Sequence, residues 1–236
     1  MYRLDGQRVL VTGVTGGIGR AVAETLKSAG AELVISGRDK TKLAAGAEAL
    51  GGVPAVSADL TDEAQVASLM DEAGAALGGI DTLVNVPGLS IPAPIAEMAL
   101  EDFAKVMDAN VTSVFLASKH FVQAADPDKG GLIISVSSVA GKNANPNAPV
   151  YCAAKAAMNM LSSGLAMQVK KANVKVSVVS PGAVTTPGFW GDRPVPHEKF
   201  LKPEEVAEVV AFVANLPANV VLHDVVFEPW AMYRSK

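Results

Sequence analysis

Short runs of apolar, often β-branched residues alternate along the chain with longer Ala-rich stretches whose apolar positions recur at helical spacing. The runs 9–11 and 132–134 are apolar at every position, which predicts strands covered on both faces. Strands are predicted at 8–12, 32–36, 55–58, 82–85, 132–137, 175–180 and 220–227, and helices at 19–29, 40–50, 63–77, 100–124, 150–171 and 203–216. This alternation is typical of βαβ units, so we expect one α/β domain over 1–236: a doubly wound parallel sheet with helices on both faces.

Residues that typically begin or end helices stand where this pattern requires them. Gly30 follows the first predicted helix, and Asp39, Asp62 and Pro203 stand where later helices should begin. The longest irregular segments are 86–99, 140–149 and 187–202. Because ligands bind beyond the carboxyl ends of the strands in an open α/β sheet, we expect these segments to line a site, with 187–202 as the substrate loop.

Composition narrows the class of protein. The 236 residues are 50% hydrophobic and 19% charged, with a net charge of −4, so a basic surface for nucleic acid or anionic membrane is not expected. No apolar run approaches the ~20 residues that cross a bilayer. The single cysteine, Cys152, fits a reducing compartment, and the first residues do not resemble a signal peptide. We therefore expect a cytoplasmic protein.

A glycine-rich turn joins the first predicted strand to the first helix. In the run Thr12-Gly-Val-Thr-Gly-Gly-Ile-Gly19, Gly13 lets the chain turn, Gly17 lets the backbone approach a pyrophosphate, and Gly19 permits close packing of helix on strand. The helix N-terminus then offers free N–H groups to phosphate. Such glycines also occur in ordinary turns, but their place after the first strand of a doubly wound pattern favours dinucleotide binding.

The end of the second strand bears on the choice of dinucleotide. An acidic residue normally stands there to bind the ribose 2′-OH of NAD, but this chain has Gly37 followed by Arg38. An arginine can bind the 2′-phosphate of NADP, so the sequence favours NADP(H) over NAD(H). The alternative is that Arg38 is a solvated arginine at a strand end. Asp39 is expected to cap the next helix rather than bind ribose.

Tyr151 and Lys155 share one face at the start of a long Ala-rich helix. A phenol with a pKa of ~10 transfers protons poorly at neutral pH. An ammonium ~4 Å away favours the phenolate by about 4 kcal/mol at an effective dielectric of 20, roughly three pK units. We therefore expect Lys155 to lower the pKa of Tyr151, with burial offsetting part of the effect. A lone Tyr-x-x-x-Lys is common, but here Ser138 ends a strand thirteen residues earlier.

Together these residues resemble the short-chain dehydrogenases/reductases. The resemblance runs over nearly the whole chain, and it rests on the glycine turn, the pair Asp59-Leu60, Ser138, Tyr151-x-x-x-Lys155 and Pro181-Gly182. It implies a Rossmann-type domain with a seven-stranded parallel sheet. It also implies a homotetramer or homodimer, as does the apolar character of the predicted helices 100–124 and 150–171 over more than one face.

By the same resemblance, Tyr151 is the general acid in carbonyl reduction and the base in alcohol oxidation, while Ser138 binds the substrate oxygen. Lys155 lowers the pKa of Tyr151 and holds the nicotinamide ribose, and Asn110 positions a water beside that lysine. An alternative for Asn110 is a polar residue satisfied in a helix kink. The cofactor contacts implied are Gly13, Thr15, Gly17, Ile18, Gly19, Arg38, Asp59, Leu60, Asn85, Gly88, Tyr151, Lys155, Pro181, Gly182, Val184 and Thr186.

One departure from the family pattern stands after the fourth strand, where the usual Asn-Asn-Ala-Gly reads Asn85-Val86-Pro87-Gly88. Pro87 lacks an N–H and restricts the residue before it, so reshaped cofactor contact is expected there. This departure supports the alternative hypothesis, a cofactor-binding regulatory or scaffold protein. A nucleotide-sugar epimerase or dehydratase would need a larger C-terminal domain.

The expected activity is NADP(H)-dependent interconversion of a carbonyl and a secondary alcohol on a small molecule. The three histidines are scattered and lack metal-ligand spacing, so no metal is expected. Phe189, Trp190 and Phe200 are apolar candidates for the substrate loop, and Arg193, His197 and Lys199 are polar ones. The substrate itself does not follow from the sequence.

Overall fold

A computed structural model describes residues 2–86, 88–186, 188–191 and 193–233. The strands are β1 (Arg8–Thr12), β2 (Glu32–Gly37), β3 (Ala55–Ser57), β4 (Thr82–Asn85), β5 (Gly131–Val136), β6 (Val174–Pro181) and β7 (Asp224–Phe227). The helices are α1 (Gly17–Ser28), α2 (Lys40–Ala49), α3 (Glu63–Leu77), α4 (Leu100–Met107), α5 (Ser113–Ala124), α6 (Pro149–Gln168) and α7 (Pro203–Ala214). The strands form one parallel sheet in the order β3-β2-β1-β4-β5-β6-β7, which confirms the predicted doubly wound α/β fold.

Period-two alternation along each strand builds the core on both faces of the sheet. Val9 and Val11 of β1 point to a cluster that includes α1 and α7, whereas Leu10 between them points to a cluster that includes α3 and α5. Phe121 of α5, 1% exposed, fills the second cluster. Strands that are apolar at every position are thus explained by helices on both sides.

The predicted helix starts are confirmed. The side chain of Asp39 accepts a hydrogen bond from the backbone N–H of Lys42 at 3.0 Å, and Asp62 caps α3 by accepting from two N–H groups. Pro203 is the first residue of α7, where its missing N–H costs nothing. No helix in the described part of the chain is both long and apolar enough to cross a bilayer.

Three elements differ from the sequence prediction by an interruption or by more than two residues at one end. The predicted helix 100–124 is interrupted by a π-helical segment, Asp108–Thr112, between α4 and α5. The predicted helix 150–171 ends earlier, because its last turn tightens into the 3-10 segment Val169–Ala172. The last strand was predicted at 220–227 but begins only at Asp224, since pairing with β6 starts at Val178 and leaves 220–223 outside the sheet.

Close packing of the glycine turn on α1 yields a prediction for stability. A Cβ on Gly19 would stand 2.3 Å from the carbonyl oxygen of Gly13, which belongs to backbone and cannot swing aside. We expect Gly19→Ala to lower the free energy of unfolding by about 1–3 kcal/mol, as overpacking does. Gly16→Ala is the matched control, because its Cβ would meet the same oxygen at an ordinary 3.6 Å.

Denaturant unfolding of both variants measures the difference. A loss for Gly16→Ala as large as that for Gly19→Ala would contradict the steric explanation.

Candidate active site

Three adjoining cavities form a groove along the carboxyl edge of the sheet, where the strand order reverses between β1 and β4. The Arg38 cavity, of about 230 Å³, shares Gly13 and Gly88 with the glycine cavity, of about 280 Å³. The glycine cavity in turn shares Tyr151 and Phe189 with the tyrosine cavity, of about 220 Å³. Such a reversal point is where open α/β sheets bind elongated ligands.

The floor of the glycine cavity is the turn between β1 and α1. Gly13 has φ +77°, a conformation that only glycine adopts without strain. Helix α1 begins at Gly17 after Gly16, whose lack of a side chain leaves the first-turn N–H groups without a side-chain cap. Gly17, Ile18 and Gly19, which the sequence predicts to contact the cofactor, all line this cavity. Uncapped N–H groups at a helix start suit a phosphate group.

The Arg38 cavity brings together the predicted residues Thr15, Arg38, Asp59 and Leu60. The presence of glycine at position 37 has a steric reason, because a Cβ there would stand 2.7 Å from Cγ2 of Thr15. The acidic residue of an NAD-type site would therefore fit only if the Thr15 side chain moved. Arg38 is exposed at the mouth of the cavity.

Asp59 is fixed in place within the same cavity. Its carboxylate accepts hydrogen bonds from the backbone N–H of Thr61 at 3.0 Å and from the Thr61 hydroxyl at 2.8 Å. The hydrogen bond from the Thr61 N–H does most to hold the pKa of Asp59 below its ordinary value. The side chain is therefore ionised and pre-oriented.

Helix α6 and the end of β5 position the residues that the sequence predicts to be catalytic. Tyr151 and Lys155 occupy the first turns of α6, and the Lys155 Nζ lies 5.8 Å from the centroid of the Tyr151 ring. Lys155 is 3% exposed and donates a hydrogen bond to the backbone oxygen of Val136 at 3.2 Å. Ser138 follows β5 in extended conformation, and its Oγ accepts from the N–H of Ala140 at 3.1 Å. The predicted triad of Ser138, Tyr151 and Lys155 thus meets at one end of the groove.

The expected direction of the Tyr151 pKa is wrong. Burial raises the pKa of Tyr151 to about 12, and an interaction with Ser138 offsets only part of that rise. Burial also lowers the pKa of Lys155 to about 8. The sequence argument placed the ammonium ~4 Å from the phenol, whereas Lys155 turns to the carbonyl of Val136 and the cost of desolvating a phenolate dominates.

Asn110 lies in the π-helical segment and is fully buried. Its Nδ2 donates to the backbone oxygens of Leu89 and Val106, both at 2.8 Å, whereas its Oδ1 has no partner among the described residues. A Cβ on Gly88 would stand 3.2 Å from that Oδ1 and 3.4 Å from the Lys155 Nζ. The helix is interrupted at Asn110, but the alternative of a fully satisfied polar residue does not hold, because the Oδ1 is an unsatisfied acceptor within the described part of the chain and lies close to the space beside Lys155.

Of the remaining residues predicted to contact the cofactor, four line the tyrosine cavity and one is buried at the end of β4. Pro181, Gly182, Val184 and Thr186, which the resemblance implies as cofactor contacts, line the tyrosine cavity. Asn85 ends β4 as a buried side chain, with Oδ1 3.4 Å from the Thr12 hydroxyl and an Nδ2 that lacks a partner among the described residues. Pro87, the centre of the departure from the family pattern, lies outside the described residues, as do Pro187 and Asp192 of the predicted substrate loop.

Sequence reasoning missed Asn159, which supports this site from α6. Its Oδ1 accepts a hydrogen bond from the Ser137 hydroxyl at 2.6 Å, and its Nδ2 donates to the backbone oxygen of Gly141 at 3.3 Å. Asn159 therefore ties the strand end that carries Ser138 to the helix that carries Tyr151. The signal was available, because Asn159 stands four residues after Lys155 and so lies on the same helix face.

Comparison with known proteins gives consistent matches over this architecture. A family model of the short chain dehydrogenases matches residues 7–194. An uncharacterised oxidoreductase of Staphylococcus saprophyticus is 30% identical over 234 residues, covering 97% of this chain and 100% of that protein. Another, from Staphylococcus aureus, is 29% identical over 231 residues, with the same coverage of both chains.

Solved structures agree with the sequence matches. A short-chain type dehydrogenase/reductase from Mycobacterium marinum superposes with a TM-score of 0.87 at 29% identity, over 97% of this chain and 96% of that one. A short chain dehydrogenase from Burkholderia cenocepacia, solved in complex with NADP, also superposes with a TM-score of 0.87 at 27% identity. This match covers 98% of this chain and 99% of that one. The family match spans both the glycine turn and the Tyr151–Lys155 pair, and it identifies the chain as an oxidoreductase that belongs to the short-chain dehydrogenase family.

Proposed function

We propose that the protein is an NADP(H)-dependent oxidoreductase that interconverts a carbonyl and a secondary alcohol, with Tyr151 as the general acid and base. The observation that carries this proposal is the groove itself. It runs from Arg38 across an uncapped helix N-terminus to the cavity that holds Ser138 and Tyr151. A charged end, a phosphate cradle and a proton donor thus lie in the order that a dinucleotide and its substrate require.

The residues present fit this cofactor. Gly13, Gly17, Ile18 and Gly19 would hold the pyrophosphate, which needs backbone rather than side chains close by. Thr15, Asp59, Leu60 and Gly88 would contact the adenosine end, while Lys155, Tyr151, Pro181, Gly182, Val184 and Thr186 would hold the nicotinamide end. Asn85 is buried and does not line the three cavities, so it would support the end of β4 rather than contact the cofactor. When bound, the nicotinamide supplies or accepts the hydride.

NADP(H) rather than NAD(H) is proposed because of the groove's adenosine end. Thr15 occupies the space that a side chain at position 37 would need, and Arg38 offers a guanidinium at the mouth. A guanidinium pairs well with a phosphate. The Burkholderia cenocepacia relative, which was solved in complex with NADP, gives this choice further support.

The proton chemistry is assigned to Ser138, Tyr151 and Lys155. In the reductive direction, Ser138 donates a hydrogen bond to the substrate oxygen, and Tyr151 transfers its phenol proton to that oxygen. Because burial raises the pKa of Tyr151 to about 12, the phenol keeps its proton throughout the neutral range until the oxygen gains negative charge. Lys155, whose pKa is about 8, is mostly protonated at pH 7 and stabilises the phenolate left behind. Asn110 would hold a water beside that ammonium.

The predicted homo-oligomer also remains a proposal, supported by the outer surfaces of α5 and α6. Phe115 of α5 is 46% exposed, and Met160 and Met167 of α6 are 74% and 72% exposed. Phe115 and Met160 line a groove of about 620 Å³ between the two helices. Large apolar side chains grouped in this way are typical of an interface with a second copy.

Removal of the phenol hydroxyl tests the proton donor. We expect Tyr151→Phe to lower turnover by about 10²–10⁴-fold on any accepted carbonyl, since the general acid is lost. Fold and NADPH affinity should persist because the ring keeps its volume. Tyr233→Phe is the matched control, since that tyrosine is 57% exposed and its hydroxyl contacts Glu228.

NADPH absorbance measures turnover, and fluorescence titration measures binding. Full activity of Tyr151→Phe would overturn the mechanism, and turnover of no carbonyl by the unaltered protein would favour the regulatory or scaffold alternative.

Cofactor choice is tested at Arg38. We expect Arg38→Ala to weaken NADPH binding by roughly 10–100-fold, the range of a charge-assisted hydrogen bond, while NADH affinity stays nearly constant. Lys42→Ala removes a neighbouring charge as a control. Its ammonium is engaged with Asp39 at 3.8 Å, so we expect little effect. Titration calorimetry with both nucleotides checks this, and equal affinities in the unaltered protein would refute the assignment.

Because the pKa of Lys155 is lowered, we expect the replacement of this lysine to raise the free energy of unfolding by an amount that depends on pH. Between pH 8 and 10.5 the unfolded chain holds a proton that the folded protein has lost, so the stability of the unaltered protein rises with pH through this window. At pH 7 the buried charge costs up to about 3 kcal/mol. Lys155→Met should therefore be more stable than the unaltered protein at pH 7. The gain in the free energy of unfolding is reduced somewhat because the hydrogen bond to Val136 is lost.

Denaturant unfolding at pH 7 and pH 10 measures this gain, which should shrink toward zero at the higher pH. Lys170→Met, at an exposed position of the 3-10 segment after α6, is the control. A difference for Lys155→Met that does not change with pH would contradict the depressed pKa.

A further inference from the structure

The substrate loop forms a row of aromatic rings that begins at the reacting tyrosine. The ring centroids of Tyr151 and Phe189 are 5.9 Å apart, those of Phe189 and Trp190 are 5.3 Å apart, and those of Trp190 and Phe200 are 4.9 Å apart. Trp190 also donates a hydrogen bond from Nε1 to the backbone oxygen of Val184 at 2.7 Å. The described part of this loop is therefore a packed apolar wall rather than a loose cover.

Arg193 is set into that wall. Its Cζ lies 5.0 Å from the centroid of the Trp190 ring and 6.0 Å from that of Phe189. Its Nε donates to the backbone oxygen of Trp190 at 2.7 Å, and one Nη2 hydrogen donates to that of Phe189 at 2.6 Å. Stacking and two hydrogen bonds therefore fix the plane of the guanidinium.

The same side chain lines the tyrosine cavity together with Ser138 and Tyr151. Among the described residues that line this cavity, Arg193 is the one that carries a charge at neutral pH. Phe189 links the two ends of the cavity, since its ring lies about 6 Å from both the Tyr151 ring and the Arg193 guanidinium. The Arg193 Cζ therefore lies no more than about 12 Å from the centroid of the Tyr151 ring, and both side chains line the same cavity.

Most of the guanidinium's donors have no partner among the described residues. An arginine has five N–H groups in a rigid fork, and the two contacts with loop carbonyls engage one on Nε and one on Nη2. The other three can serve a planar anionic group, which can accept two parallel N–H donors. The side chain is partly buried against the Phe189 and Trp190 rings, and a charge pair is stronger there than in bulk water.

We propose that Arg193 binds a carboxylate of the substrate, so that the enzyme acts on small oxo acids and the corresponding hydroxy acids. This inference rests on the proposed function, since it assigns the substrate class of that same site. The cavity of about 220 Å³ suits a compact molecule in which the carboxylate stands a few bonds from the carbonyl. Arg193 then orients the carbonyl oxygen toward Ser138 and Tyr151 by holding the far end of the substrate.

The competing explanation is that Arg193 only fastens the loop through the carbonyls of Phe189 and Trp190. The two roles differ in their dependence on substrate charge. A fastening role affects charged and neutral substrates alike, whereas a carboxylate-binding role affects only the charged one. Arg193→Gln separates them, because glutamine retains an N–H donor for the loop but carries no charge.

The first test compares acetoacetate with acetoacetamide, which present the same ketone and nearly the same shape but differ in charge. We expect the unaltered protein to show the higher kcat/KM for acetoacetate, and Arg193→Gln to lower that value by about 10–100-fold with acetoacetamide nearly unchanged. Lys202→Gln, which removes a charge from the exposed end of the same loop outside the cavity lining, is the control. Equal losses on both substrates would reduce Arg193 to a loop fastener.

The second test needs no turnover and therefore separates this inference from the proposed function. In a Trp230→Phe background, Trp190 is the remaining tryptophan and lies against Arg193. In the NADP⁺-loaded protein, we expect propionate to change the Trp190 fluorescence at concentrations at least ten-fold lower than propionamide does. Arg193→Gln should abolish this difference between the two ligands.

Preferential binding of propionate without turnover of any carbonyl would sustain the carboxylate site while overturning the proposed function. Equal responses to propionate and propionamide, or no response to either, would overturn the carboxylate site even if neutral ketones are reduced.

Discussion

The burial of one ammonium group organises the reacting end of this molecule. Lys155 is 3% exposed, and placing a charge there is costly unless the surrounding backbone compensates for the lost water. Val136 offers its carbonyl at the end of β5, Gly88 leaves room because it lacks a side chain, and the Asn110 Oδ1 faces the same space. Strand β5, the segment after β4 and the π-helical segment must therefore all be in place before the lysine can occupy its position.

This constraint also explains why the pKa values of Tyr151 and Lys155 shift in opposite directions. The two groups are not a simple ion pair, because burial acts on both in opposite directions and favours a neutral phenol beside an ammonium of reduced pKa. A phenol with a pKa of about 12 is a weak acid until the substrate oxygen becomes negative. In the proposed mechanism, Ser138 would stabilise negative charge on that oxygen, and Lys155 would stabilise the charge left on the phenol as the proton moves, which is where stabilisation accelerates a reaction.

The sequence was sufficient to predict the features that depend on local pattern. Strand and helix alternation, the helix caps at Asp39 and Asp62, and the grouping of Ser138, Tyr151 and Lys155 all follow from spacing along the chain. It was insufficient where distant segments decide the outcome. The π-helical segment depends on Asn110 donating to Leu89, 21 residues earlier, and the direction of the Tyr151 pKa depends on depth of burial, which spacing does not encode.

The groove separates what the sheet provides from what the substrate loop provides. Its glycine and Arg38 cavities are built on strand ends, where a Cβ on Gly19 or Gly37 would clash with its neighbours, so their shape tolerates little change. The far wall instead comes from Phe189, Trp190 and Arg193, which contact one another and Val184. Substitutions in that wall can alter charge and size without disturbing the strand ends. Under the proposed function, substrate class would reside in this loop, while the strand ends fix the glycine and Arg38 cavities.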